Sequence, residues 1–274
     1  MEHELPAAQV DRFRHFFPGA HLELVLDSIT TGNTGARLWE IQQEGAPSLF
    51  LLWDQGNDVF YLAGESRHQS TLASLTRFVA EQLKPQARTA GVSRFKARAL
   101  STLLHDAVPD IFSGTPLHAA PTFFYIHDTA RPTSAHPVTL AHCEIVPITP
   151  AALEPGALRY SEHVREEIGA MWPSEDRFHE YGFGKLAVRD GEILCWCTAE
   201  YLSPARCGIG IATAPQFERR GIATATAARF VEEAQARGIT PCWECARDNL
   251  PSVRVAEKVG FVREAEEEYW VGFL

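Results

Sequence analysis

The chain has 274 residues, 45% of them hydrophobic, and a formal net charge of −10. So much apolar material supports packed cores of one or two domains and excludes a disordered chain. The acidity argues against a nucleic-acid or anionic-membrane partner, which asks for a basic face, and suits a cationic one.

No apolar run approaches the roughly 20 residues that span a bilayer. The first six residues lack the basic and apolar segments of a signal peptide. A cytoplasmic protein, monomer or homodimer, is expected. Residues 49–53 and 59–63 alternate like strands around the turn Gln55-Gly56-Asn57-Asp58, a hairpin pattern. Residues 71–83 read as a helix and 122–126 as a strand. A Pro/His/Thr-rich stretch without periodicity follows, so the spacing predicts an N-terminal domain over 1–130, a linker over 131–142 and a second domain over 143–274. The scattered His118, His127, His136 and His142 lack ligand spacing and read as solvated loop residues.

In the second domain, 143–148 alternates like a strand, and Thr149 and Pro150 open a helix over 151–168. Strands over 184–189 and 192–200 flank the hairpin turn Asp190-Gly191. Another strand covers 207–213. A helix covers 221–237 and ends at Gly238. A short strand covers 241–245, a helix 250–259 with Asn249 or Asp248 as cap, and closing strands 261–263 and 267–273. The order predicts an α/β chain with a mixed sheet and helices on its faces. Arg77-Phe78-Val79-Ala80-Glu81 and Arg229-Phe230-Val231-Glu232-Glu233 are similar enough to suggest duplication of one domain.

The six cysteines are Cys143, Cys195, Cys197, Cys207, Cys242 and Cys245. Cys242 and Cys245 have redox-motif spacing but fall within a strand, and no loop knuckle accompanies either pair. Small buried side chains are expected, with no metal.

The informative segment runs from Ile211, Ala212 and Thr213 through Glu218-Arg219-Arg220-Gly221-Ile222-Ala223-Thr224. It is a strand, a basic loop with one Gly, and a helix start. Backbone N–H groups at a helix start are unpaired and carry the positive end of the dipole. Such a site accepts a pyrophosphate, and the Gly lets it approach the main chain. A second segment runs from Asn249 through Ser252 to Lys258-Val259-Gly260-Phe261.

Together the two segments, over residues 143–274, resemble the GNAT superfamily of N-acetyltransferases. The resemblance implies the GNAT fold, duplicated in tandem with a degenerate N-terminal copy, and acetyl-CoA as co-substrate. Ile211, Ala212 and Thr213 would pair with the pantetheine arm, and the amides of Arg219, Arg220, Gly221, Ile222, Ala223 and Thr224 would hold the pyrophosphate. Asn249 and Ser252 would line the thioester end. It also implies an amine acceptor, on a small molecule or a peptide. Glu244, five residues before Asn249, matches the general-base position of some members. Two departures stand out. Glu218 occupies a position usually Arg or Gln, and Ala256 stands where many members have the Tyr that protonates the departing thiolate. Tyr269 is the substitute acid, and Glu200, Trp172 and Glu175 are the acceptor-side candidates. Gly64-Glu65-Ser66, after the N-terminal hairpin, offers no nest for phosphate. The departures leave a competing expectation, a GNAT-like protein that binds CoA without catalysis.

Overall fold

A computed structural model describes residues 2–42, 48–66, 68–131 and 143–274. The elements in chain order are β1 (Glu2–Leu5), α1 (Ala20–Thr30), β2 (Ala36–Ile41), β3 (Leu49–Asp54), β4 (Val59–Ala63), α2 (Gln69–Phe78), α3 (Lys84–Thr89), β5 (Arg94–Ala99), α4 (Thr102–Ile111) and β6 (Leu117–His127). They continue with β7 (Glu144–Pro147), α5 (Pro150–Leu153), α6 (Ser161–Met171), α7 (Glu175–Tyr181), β8 (Gly184–Arg189), β9 (Glu192–Leu202), β10 (Arg206–Thr213), α8 (Ile222–Ala236), β11 (Thr240–Ala246), α9 (Leu250–Lys258) and β12 (Phe261–Phe273).

The chain forms two compact units. Unit 1 comprises Met1–Pro121 with Glu268–Leu274, and unit 2 comprises Thr122–Glu267. This division differs from the boundaries expected at 130 and 143. Residues 132–142, nearly all of the expected linker, lie outside the described residues, as do His136 and His142. The difference comes from strand pairing. Residues 122–126 of β6 pair antiparallel with β11, and residues 270–273 of β12 pair antiparallel with β5. A ladder of backbone hydrogen bonds assigns a strand to its partner wherever it stands in the sequence.

Each unit has the same topology. In unit 1, β1, β2, β3 and β4 are successive antiparallel neighbours, β4 and β5 are parallel, and α2 is the crossover between them. In unit 2, β7, β8, β9 and β10 are successive antiparallel neighbours, β10 and β11 begin parallel, and α8 is the crossover. Helices α4 and α9 follow β5 and β11 in turn. The Phe pair that hinted at duplication sits in matching crossover helices, and Phe78 and Phe230 are both buried.

Several elements differ from the sequence expectation for local reasons. The helix expected over 151–168 is broken into α5 and α6 by Pro155 and Gly156, the latter at φ 83°. Glu175–Tyr181 is a further helix, because Ser174 caps it by accepting from Arg177 N at 3.1 Å and acidic Glu175 and Asp176 occupy its first turn. The two closing strands are one continuous β12. Elements β1, α1, β2, β5 and α4 carried no strong local signal. Their stability comes from a unit 1 core that includes Trp39, Trp53, Phe60, Phe78, Phe95, Leu104 and Phe112. His127 is a correction. It is buried at the end of β6, with Nε2 3.1 Å from Val259 O and Nδ1 3.3 Å from Gln235 Nε2, and burial pushes its pKa down.

The unit 2 core includes Phe230, fully buried and stacked on Phe183 with centroids 4.8 Å apart. Truncation there removes an aromatic ring from a packed face. Phe230→Ala is expected to destabilise the protein by about 3–5 kcal/mol, read as a lowered urea midpoint.

Candidate functional site

The site begins with a change in strand pairing. Strand β10 is parallel to β11 only at Arg206↔Thr240 and Cys207↔Pro241. Beyond Cys207 it stays paired with β9 all the way to Thr213↔Cys195, so its other edge is free of strand partners from Gly208 onward. The separation starts where β9 bulges. Leu202 pairs with Cys207 and Glu200 with Gly208, leaving Tyr201 out of register at φ 26°. A bulge bends its strand and increases the local twist, here at the residues where β10 and β11 part. The open edge carries Ile211, Ala212 and Thr213, all half-buried. Unpaired N–H and C=O groups along such an edge accept an extended chain as a further strand.

The edge leads into the loop before α8. Ala214, Phe217 and Ile222 are buried in one apolar cluster with Ala187, Leu194 and Cys195, while Glu218, Arg219 and Arg220 are exposed between these anchors. Arg219 at φ 59° and Gly221 at φ 79° both take left-handed backbone. Gly does so without strain and leaves the main chain open to close approach. Among the described residues, the amides of Arg219, Arg220, Gly221, Ile222, Ala223 and Thr224 donate to no backbone or side-chain acceptor; the first bond of the helix is Ala225 N to Gly221 O at 3.1 Å. These donors at a helix start suit a pyrophosphate. The guanidinium carbons of Arg220 and Arg189 lie 5.6 and 5.2 Å from the Phe217 ring centre. Arg189, on β8, adds a cation that sequence reading missed. Only pairing across the sheet brings it there. The acidic Glu218 is exposed to water.

The second motif has a structural use as well. Asn249 caps α9, its Oδ1 accepting from Ser252 N at 3.3 Å, and it is exposed. Ser252 Oγ accepts from Trp243 Nε1 at 2.9 Å, which ties α9 to β11. Ala256 is fully buried.

The candidate acid–base residues divide between the units. Glu244 is half-buried on β11, opposite Phe124 of β6. Successive strand residues alternate faces, so Trp243 points to the α9 side and Glu244 to the other. The same alternation puts Thr198 and Glu200 of β9 on that second face, with Trp196, whose ring stacks with His163 of α6 at 6.4 Å. The face opposite α8 and α9 therefore collects Glu200 and Glu244. Tyr269 belongs to unit 1, is almost fully buried, and carries Lys96 and Arg98 at 5.6 and 5.7 Å from its ring centre. Trp172 is buried and donates from Nε1 to Ala199 O at 2.8 Å, a packing role against β9. Glu175 accepts from Arg165 at 3.0 Å.

Unit 1 shows by contrast what makes the site. Its β4 and β5 pair from Val59↔Lys96 to Leu62↔Ala99, and Leu100 N continues the ladder to Leu62 O at 2.9 Å. No edge opens there. The following Gly64, at φ 100°, is pressed against Ser48 O, 2.7 Å from where a Cβ would stand.

All six cysteines are free thiols. Cys242 and Cys245 lie on opposite faces of β11, three positions apart, which separates the thiols by the sheet. Among the described residues no group of three or more His, Cys, Asp or Glu side chains is arranged to hold a metal.

Residues 141–270 match the family model described as GNAT acetyltransferase. An uncharacterized N-acetyltransferase of Bacillus subtilis is 31% identical over 90 residues, 33% of this chain and 34% of that protein, so the match spans about a third of the relative's length. Among solved structures, a GCN5-related N-acetyltransferase-like protein from Streptococcus suis superposes with a TM-score of 0.68 at 15% identity, covering 97% of this chain and 99% of that one. A tandem GNAT protein from the clavulanic acid biosynthesis pathway gives 0.53 at 16% identity, covering 99% and 98%. These likenesses show the fold, and the last shows it duplicated along one chain.

Burial pushes the Cys195 and Cys242 thiols up to about 11. An unfolded thiol titrates near 8.5, so between about 8.5 and 11 the native state holds more protons than the unfolded one, and stability falls as pH rises through that window. The urea midpoint is expected to drop between about pH 8 and pH 10.5. In the Cys195→Ala, Cys242→Ala double variant the drop should be smaller.

Proposed function

We propose, from the match of residues 141–270 to the GNAT acetyltransferase family model, that the protein moves the acetyl group of acetyl-CoA to an amine of a small molecule or peptide. Unit 2 is the catalytic unit in this reading. The observation that carries it is the parting of β10 from β11 beyond Cys207, which leaves an open strand edge ending in six undirected amides at the start of α8.

Each part of the edge has a task. Ile211, Ala212 and Thr213 offer main-chain groups to the pantetheine amides. The amides of Arg219, Arg220, Gly221, Ile222, Ala223 and Thr224, with Arg220 and Arg189 near, take the pyrophosphate. The exposed Asn249 meets the arm beyond them in this reading. Acetyl-CoA supplies the thioester. An attacking amine must be neutral, and the proton lost from its nitrogen as the C–N bond forms and the C–S bond breaks needs a base. Glu244 takes that proton in this reading, directly or through one water. The departing thiolate takes its proton from water in this reading. With no metal in this scheme, carboxylate and solvent carry all proton transfers. Among the described residues no helix is long and apolar enough to cross a membrane, and we place the protein in the cytoplasm with no nucleic-acid partner.

One observation favours a second reading. Ala256 is buried where the resemblance puts the thiolate acid, which suits a protein that binds CoA without turning over. Calorimetry with acetyl-CoA and a transfer assay across amine classes separate the two. Gly221→Val, forcing a branched side chain onto left-handed backbone, is expected to weaken acetyl-CoA binding at least about tenfold. Glu244→Gln should leave that binding intact and lower kcat/KM by about 10²–10⁴. Binding without transfer to any amine would establish the second reading. No binding at millimolar acetyl-CoA would remove both.

A further inference from the structure

Next to the proposed acetyl-transfer edge, the face of unit 2 opposite α8 and α9 carries Glu200 and Glu244 and is approached by Glu167. Glu200 lies over Gly210, three positions before Thr213 along β10. A Cβ on Gly210 would stand 2.9 Å from Glu200 Cδ and 2.8 Å from Thr198 Oγ1, and it would collide with Glu200 Oε1. The glycine therefore makes room for both side chains beside the open edge. Glu167, which no sequence motif marked, belongs to α6 one position before the buried Ile168 and three after the buried Val164. It therefore flanks the helix's sheet-facing stripe. Burial pushes the thiol of Cys197, the neighbour of Thr198, well up, and Glu200 and Glu167 are both close enough to add to the shift.

Two features indicate that a ligand is expected there. Burial raises the pKa of Glu167, and no cation opposes the shift. Among the described residues Glu167 has no hydrogen bond or ion pair. Two cations of the helical layer are engaged elsewhere, Arg165 with Glu175 at 3.0 Å and Arg177 over the Tyr181 ring at 3.8 Å. A half-buried carboxylate without a partner is unfavourable unless a cation arrives. Independently, Thr198 is 2% exposed and its Oγ1, aimed at the same space over Gly210, has no hydrogen-bond partner. Trp196 Nε1, on the same face, is also buried and unpartnered. Orphaned buried polar atoms are rare in native proteins and call for a partner.

We propose that the acceptor is a small aliphatic amine carrying a second positive charge, with Glu167 anchoring the ammonium that does not react and Glu200 and Thr198 lining the path between it and the edge. This rests on the reading of unit 2 as the acetyl-transfer unit. The reacting nitrogen is neutral and the remote one charged, so Glu167 is a specificity-determining residue and takes no proton from the reaction. An amine of similar length with one nitrogen would lack the anchoring contact.

Binding can be measured without turnover. Calorimetry on the full chain, with and without saturating CoA, would compare diaminobutane with butylamine. Diaminobutane is expected to bind about tenfold more tightly, as for one charge-assisted contact in a desolvated setting. In Glu167→Gln that difference disappears while CoA affinity is retained. Thr198→Val, which keeps the shape and removes the hydroxyl, weakens diaminobutane binding severalfold. Equal binding of the two amines, or an unchanged preference in Glu167→Gln, would overturn the proposal. A failure of CoA to bind would instead overturn the acetyl-transfer reading, and the amine comparison without CoA would still decide this one.

Discussion

The pairing between two parallel strands, kept for two residues and then given up, is the constraint on which unit 2 depends. After Cys207, β10 holds β9 and releases β11. A parallel ladder would normally satisfy the backbone groups along both strands. The exposed edge is tolerable because β9 still pairs with the inner side of β10, and because residues 122–126 of β6 secure the far side of β11. The bulge at Tyr201, in strained backbone at φ 26°, sits at the point of release. Strain held by surrounding structure is a common companion of functional sites.

The two units show how little separates a ligand edge from a closed sheet. They share strand order, crossover helix and following helix, yet unit 1 continues its β4–β5 ladder through Leu62↔Ala99. Everything downstream changes with that ladder. Unit 1 then passes Gly64 tightly against Ser48, whereas unit 2 passes Gly221 through an exposed loop held at both ends by Phe217 and Ile222. The anchors matter as much as the glycine. Without two buried side chains on either side of it, a basic loop would have no fixed direction for its amides.

The same geometry explains how charge is distributed across unit 2. The α8 side of the sheet is lined by thiols and carries the ion pair of Lys185 with Glu233 at 2.6 Å. The thiols stay protonated because they are buried, so they add no charge. The opposite side carries Glu200, Glu244 and the approach of Glu167. One face is thus neutral and packed and the other acidic, an arrangement that suits the proposed cationic acceptor.

Much of this was legible from the residues. The helix starts at Gly221 and Asn249 follow from local rules, since capping and left-handed turns depend on a few adjacent residues. The strands flanking Asp190-Gly191 follow in the same way. The free amides before α8 could be foreseen because any helix start has them. What the sequence could not contain was the pairing. Whether β10 parts from β11, which strand lies beyond β11, and where the chain divides into units are decided by backbone hydrogen bonds between distant segments, and these leave no local trace. The same holds for Arg189 beside Phe217 and for Glu167 on the helix packed against β9, each brought in by a neighbouring element. Sequence alone thus determined that a basic loop with free amides precedes α8. The tertiary structure decided that the strand leading to it is open in one unit and closed in the other, because only a folded sheet can leave a strand edge unpaired.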